Sequence, residues 1–119
     1  MKQLTEFGKH YIVELIDCDP ESIKFVENVS QVFLMAADEA NATVIDTSFH
    51  QFEPFGVSGI LLISESHLCL HTWPENGYVA FDIFTCGTNM HPDRAIQVLR
   101  EQLKASDTSV EIITRGIKE

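Results

Sequence analysis

Polar and apolar residues alternate along residues 10–16 (His10-Tyr11-Ile12-Val13-Glu14-Leu15-Ile16), and β-branched residues fill the alternation, which predicts a strand. The period then changes. Asp19-Pro20 offers an N-cap followed by a first-turn proline. Ile23, Val26, Val29, Phe33, Ala36 or Ala37, and Ala40 recur at helical spacing, a stripe that packs a core rather than a cofactor. Strand patterning returns over residues 42–49, and Glu53-Pro54-Phe55-Gly56 makes a turn. Residues 57–63 and 69–73 are strand-like on either side of a polar cluster. Pro74-Glu75-Asn76-Gly77 is a hairpin signal. Residues 78–84 form another strand, ending at Thr85-Cys86-Gly87. His91-Pro92-Asp93 opens a second helix with Ala95, Ile96, Leu99 and Leu103 on its apolar face, and residues 109–114 close the chain as a strand.

The predicted order is β-α-β-β-β-β-α-β. Two helices cannot cover both faces of that much sheet. The fold class is therefore α+β: a two-layer α/β sandwich, mainly antiparallel, with both helices on one face. The other sheet face needs a cover, and dimerisation is the expected one. Residues 1–119 read as a single domain without repeats or linkers.

Composition narrows the function. Apolar residues make up 45% of 119, enough for a core, and no apolar run approaches the ~20 residues of a membrane span. The first residues, Met1-Lys2-Gln3-Leu4-Thr5-Glu6, hold no apolar signal core, so a cytoplasmic protein is expected. The net charge of −10 argues against nucleic acid and acidic membranes as partners, and favours a cationic small molecule. Cys18, Cys69 and Cys86 are odd in number and form no CxxC, so no disulfide framework is expected. Cys18 reads as a small buried residue; Asp82 and Glu53 read as structural.

The chemistry concentrates in residues 63–75, Ile-Ser-Glu-Ser-His-Leu-Cys-Leu-His-Thr-Trp-Pro-Glu, directly after a strongly apolar strand. Taken singly, each polar residue there fits an ordinary role in satisfying its neighbours. As a group they admit three other readings. On a straight strand His67, Cys69 and His71 share one face and could ligate zinc or copper, although HxCxH is not a common zinc spacing. Ser66 or Cys86 could be a conventional nucleophile, although Ser66 lies in no Gly-x-Ser-x-Gly elbow. Third, the chain could cut itself at Glu65-Ser66. A serine hydroxyl attacks the preceding carbonyl, the resulting ester is eliminated when a base removes the Cα proton, and hydrolysis leaves a pyruvoyl group. Ser66 and His71 supply nucleophile and base, and Ser58 a donor for the oxyanion. Ser66 and His71 are five residues apart, so a regular strand would set them on opposite faces. This reading therefore expects a bulge near Ser66.

Gly56-Val57-Ser58-Gly59, then Ser64-Glu65-Ser66-His67-Leu68, His71-Thr72-Trp73-Pro74-Glu75 and Phe84-Thr85-Cys86-Gly87 resemble the bacterial and archaeal S-adenosylmethionine decarboxylase proenzymes. The resemblance runs from Gly8-Lys9-His10 to Arg115-Gly116. It implies cleavage between Glu65 and Ser66 into a β chain, 1–65, and an α chain, 66–119. Ser66 becomes the pyruvoyl cofactor, which forms a Schiff base with the substrate. His71 is implied as the processing base and Ser58 as its aid. Cys86 is implied as proton donor in decarboxylation, Phe52 and His71 as the rings around the adenine, and Glu75 as the partner of the ribose. A homodimer of αβ pairs is implied, with no metal. The product would feed spermidine synthesis. Relatives on this fold decarboxylate arginine or ornithine; Phe52 and Glu75, which suit a nucleoside, favour S-adenosylmethionine. A metal-binding or interaction module is the remaining alternative.

Overall fold

The computed structural model describes residues 4–64, 66–87 and 89–118. Six strands and two helices follow one another: β1 (Leu4–Ile16), α1 (Val26–Glu39), β2 (Val44–Gln51), β3 (Val57–Ile63), β4 (Ser66–Trp73), β5 (Tyr78–Thr85), α2 (Pro92–Gln102) and β6 (Asp107–Lys118). Short 3-10 turns at Pro20–Ile23 and Pro74–Asn76 complete them. The strands form one antiparallel sheet in the order β2-β3-β4-β5-β1-β6. The predicted element order and the two-layer architecture both hold.

Strand alternation decides what each face carries. Val13 and Leu15 of β1, Val57, Leu61 and Ile63 of β3, Leu68 and Leu70 of β4, and Val79, Phe81 and Ile83 of β5 are buried beneath the helices. Val29, Val32, Phe33, Ala36 and Ala37 of α1 and Ala95 and Leu99 of α2 meet them. Phe33 is central, edge-on to Phe81 at 5.7 Å and to Phe49 at 6.2 Å. Phe49 lies across Gly59, where an added Cβ would stand 2.5 Å from its ring. The opposite face is open, and it exposes Ile60, Leu62 and Trp73 among polar side chains.

Three boundaries differ from the sequence reading. Asp19 does cap, accepting from the Glu21 N–H at 3.2 Å, but what it caps is the 3-10 turn. Helix α1 starts only at Val26, because the Lys24 carbonyl is taken by the Gly56 N–H (2.9 Å) and the Gln51 side-chain amide (3.0 Å). Gln51 also accepts from the Val26 N–H at 2.7 Å, so a residue of β2 caps the helix. Second, β1 and β6 outrun their predicted 10–16 and 109–114. They pair together well past the end of β5, and their exposed side chains carry little apolar alternation. Third, β4 begins at Ser66 rather than Cys69. Ile63 pairs with Ser66, so only two residues separate the two strands.

Among the described residues, no helix is long and apolar enough to cross a membrane.

Candidate active site

Ser66 opens β4 and is buried on the helix side of the sheet. Its Oγ accepts a hydrogen bond from the Cys86 N–H at 3.3 Å. Cys86 follows β5 directly and is a half-buried free thiol. One step along the β4–β5 ladder sets Thr85 opposite Ser66. Among the described residues its hydroxyl is buried with no hydrogen-bond partner, a costly state that invites a ligand or reacting group. Thr85 was not singled out in the sequence, where a threonine at a strand end carries no signal. Glu65, the other half of the expected cleavage site, lies outside the described residues.

Among the described residues the expected bulge near Ser66 is absent. Pairing is regular from Ser66 to His71 on the β3 side and from His67 to Trp73 on the β5 side. The irregular pairings among the described strands lie between Glu6 and Gly8 and between Val44 and Asp46. Ser66 already pairs with Ile63, so β4 keeps its pleat from its first residue. His71 therefore points to the open face, opposite Ser66. Five residues of strand, at ~3.4 Å each, put roughly 17 Å between them.

His71 has its own company. Ser58 sits directly across in β3, and its Oγ lies 2.7 Å from His71 Nδ1. That contact fixes the imidazole and leaves Nε2 free. A hollow of about 300 Å³ beside it is lined by Phe52, Phe55, Ser58, His71, Trp73 and Glu75, among others. A second hollow of about 320 Å³ shares Ser58 and His71 and adds Ser48, His50, Ile60 and Cys69. The structure thus gathers Phe52, Ser58, His71 and Glu75 in one place, and Ser66 with Cys86 in another. A larger open groove, about 890 Å³, runs between α2 and β6 and contains none of these residues.

The supports of the hollow are local. Phe52 is held by the Gln51 amide, which donates to the carbonyls of Phe52 and Gly56 at 3.0 Å. Glu75 rides the 3-10 turn that Gly77 ends in the left-handed region at φ 60°. Thr72, buried between His71 and Trp73, accepts from the Val57 N–H (2.9 Å) and donates to the Ile23 carbonyl (2.8 Å). The first bond ties β4 to the start of β3, and the second pins it to the segment before α1.

His67, Cys69 and His71 do share the open face, as the metal reading requires. Burial, with the negative charge of Asp82 opposite, pushes the Cys69 thiol up to about 11. A thiol so hard to ionise is a poor ligand or nucleophile near neutral pH. Cys18 is buried as expected, and burial with nearby Asp17 lifts it to about 11. Asp82 contacts two histidines: its Oδ2 lies 2.8 Å from His10 Nε2 and 3.6 Å from His67 Nε2.

Comparison with known proteins agrees with this architecture. The family model described as S-adenosylmethionine decarboxylase matches residues 9–116. A Thermococcus kodakarensis protein named S-adenosylmethionine decarboxylase proenzyme is 44% identical over 119 residues, covering 100% of this chain and 83% of its own. A Thermodesulfovibrio yellowstonii protein of the same name is 46% identical over 110 residues, covering 92% and 82%. The crystal structure of the adenosylmethionine decarboxylase from Aquifex aeolicus superposes with a TM-score of 0.88 at 32% identity, covering 97% of this chain and 95% of that one. The chain belongs to the S-adenosylmethionine decarboxylase family.

Proposed function

We propose that this chain is a proenzyme that cuts itself before Ser66 and then decarboxylates S-adenosylmethionine with a pyruvoyl group derived from that serine. The observation that carries the reading is the grouping of Phe52, Ser58, His71 and Glu75 around one hollow. The Ser66 end of β4 suits such a group: it is buried, Cys86 adjoins it, and the unpartnered Thr85 hydroxyl can serve a carbonyl that the uncut chain does not present there.

In processing, the Ser66 hydroxyl attacks the carbonyl carbon of residue 65. An ester forms as the peptide C–N bond breaks. A base takes the Ser66 Cα proton, the carboxylate of residue 65 leaves, and water then releases ammonia. His71 is that base, oriented by Ser58. It cannot reach the serine of its own chain, which lies on the other face of an unbulged strand. We therefore assign the processing His71 to a second copy, in a homodimer of αβ pairs that also covers Ile60, Leu62 and Trp73 on the open face.

Once present, the pyruvoyl carbonyl supplies the electron sink that pyridoxal supplies elsewhere. The remaining work belongs to the chain. Phe52 and His71 stack on the adenine, and Glu75 accepts hydrogen bonds from the ribose hydroxyls. The acidic surface and the face of Phe52 attract the sulfonium. Cys86 returns a proton to the α-carbon after carbon dioxide departs. The product is an aminopropyl donor for spermidine synthesis in the cytoplasm. A plain amino acid such as arginine or ornithine would leave Phe52 and Glu75 without a task. Intact-mass analysis and carbon dioxide release from S-adenosylmethionine, ornithine and arginine test the proposal. It fails if the chain stays whole, or if only an amino acid is decarboxylated.

A further inference from the structure

Outside that site, the open face carries one more group of convergent side chains. His10 of β1 and His67 of β4 each pair with Phe84 of β5, so the two histidines flank β5 on one rung. Asp82 stands two residues along β5 on the same face. The three side chains lean together: each offers a ligand atom, and these atoms lie within 4.8 Å of one another. Tetrahedral zinc with bonds of ~2.0–2.1 Å sets its ligands roughly 3.3 Å apart. The Asp82 Oδ2 contacts of 2.8 and 3.6 Å bracket that spacing. Small rotations about the side-chain bonds suffice to admit an ion.

The sheet preorganises the group. Three adjacent strands supply one ligand each, so no loop has to fold around the ion. Phe84 packs between the histidines, its ring 5.8 Å from that of His67 and 6.0 Å from that of His10. All three ligands are partly exposed in the single chain. Two imidazoles and one carboxylate suit zinc and its first-row neighbours rather than calcium or magnesium.

We propose that His10, His67 and Asp82 form a divalent transition-metal site with zinc as its ion, contrary to the metal-free expectation from sequence. The site stands apart from the decarboxylase reading, which uses none of the three. One contact opposes metal. Arg115 Nη1 lies 3.4 Å from His10 Nδ1, and a guanidinium donating there makes Nδ1 the acceptor and keeps the proton on Nε2. Metal binding therefore moves the His10 proton to Nδ1 and displaces Arg115, an exposed side chain whose guanidinium also lies over the Phe84 ring at 5.9 Å.

The test is calorimetric titration of the chelator-treated full chain with zinc chloride, beside His10→Ala, His67→Ala, Asp82→Asn, Arg115→Ala and Ser66→Ala. The expected result is one zinc per chain. Each ligand variant binds at least tenfold more weakly, Arg115→Ala binds several-fold more tightly, and Ser66→Ala matches the parent. Asp82→Asn keeps the side-chain shape, and circular dichroism confirms folding of every variant. The site is overturned if the parent shows no saturable binding, if all three ligand variants bind like the parent, or if Arg115→Ala weakens binding. Because Ser66→Ala blocks cleavage without touching the ligands, failure of the decarboxylase reading leaves the zinc result interpretable.

Discussion

Ser66 and His71 share one regular strand and face opposite sides of the sheet. If His71 acts on the serine of another chain, the two roles separate genetically. Ser66→Ala and His71→Ala should each remain uncut when expressed alone. Co-expressed, a mixed pair brings an intact serine and an intact histidine to one site. Mass spectrometry should then find cleavage of the His71→Ala chain alone. No cleavage in the mixture, with mixed dimers demonstrated, refutes action between chains.

Cys86 touches Ser66 through its backbone N–H, which alanine retains. Cys86→Ala should therefore still cleave, while decarboxylase turnover falls on the order of 10²–10⁴-fold, the usual worth of general acid–base help. Gel analysis and carbon dioxide release separate the two steps. Loss of cleavage in this variant would contradict the assignment.

Glu75 faces the hollow from the turn after β4 and touches nothing at the Ser66 end. Glu75→Gln should cut normally and raise KM by roughly tenfold or more, the loss expected for a hydrogen bond to a charged group. Phe52→Ala should act in the same direction. Equal KM values in variant and parent would remove the ribose contact from the mechanism.

The Thr85 hydroxyl is buried without a partner in the uncut chain, whereas Phe33 fills the core. Thr85→Val should leave stability unchanged or raise it by about 1 kcal/mol. Phe33→Ala should cost about 3–5 kcal/mol. Urea denaturation of chains blocked by Ser66→Ala measures both without interference from cleavage. A large loss from Thr85→Val would mean the hydroxyl has a structural partner after all.

Cys69 holds its proton to about 11 in the folded chain, against 9.0 for a free thiol. Above pH 9 the unfolded chain releases that proton first, so stability should fall as pH rises toward 11. Cys18 acts in the same direction. Thermal melts from pH 8 to 11 should show a shallower decline in Cys69→Ser. An identical slope would locate the alkaline sensitivity elsewhere.

How much was legible in the sequence varied with what each residue answers to. Strands β3 and β5 were plain because each is a short run rich in β-branched or aromatic residues bounded by turn signals. The outer parts of β1 and β6 were not, since strands exposed on both sides need no apolar code. The start of α1 was hidden because Gln51, on another element, takes over the Lys24 carbonyl. His10 and Asp82 are 72 residues apart, beyond any local pattern. Parity along β4 was readable, and it correctly set Ser66 and His71 apart; the error lay in supplying a bulge to reunite them.

The strand order also bears on what a cut before Ser66 does to the molecule. The first fragment carries β1, β2 and β3, the second β4, β5 and β6. They do not lie side by side, because β1 is threaded between β5 and β6 while β3 borders β4. Three ladders of backbone hydrogen bonds cross from one fragment to the other. A cut there would break the connection between residues 63 and 66, which those ladders do not need. Cleavage would thus free a new chain end at the margin of the central strands while the two pieces stay interlaced, and parting them would require unravelling the sheet.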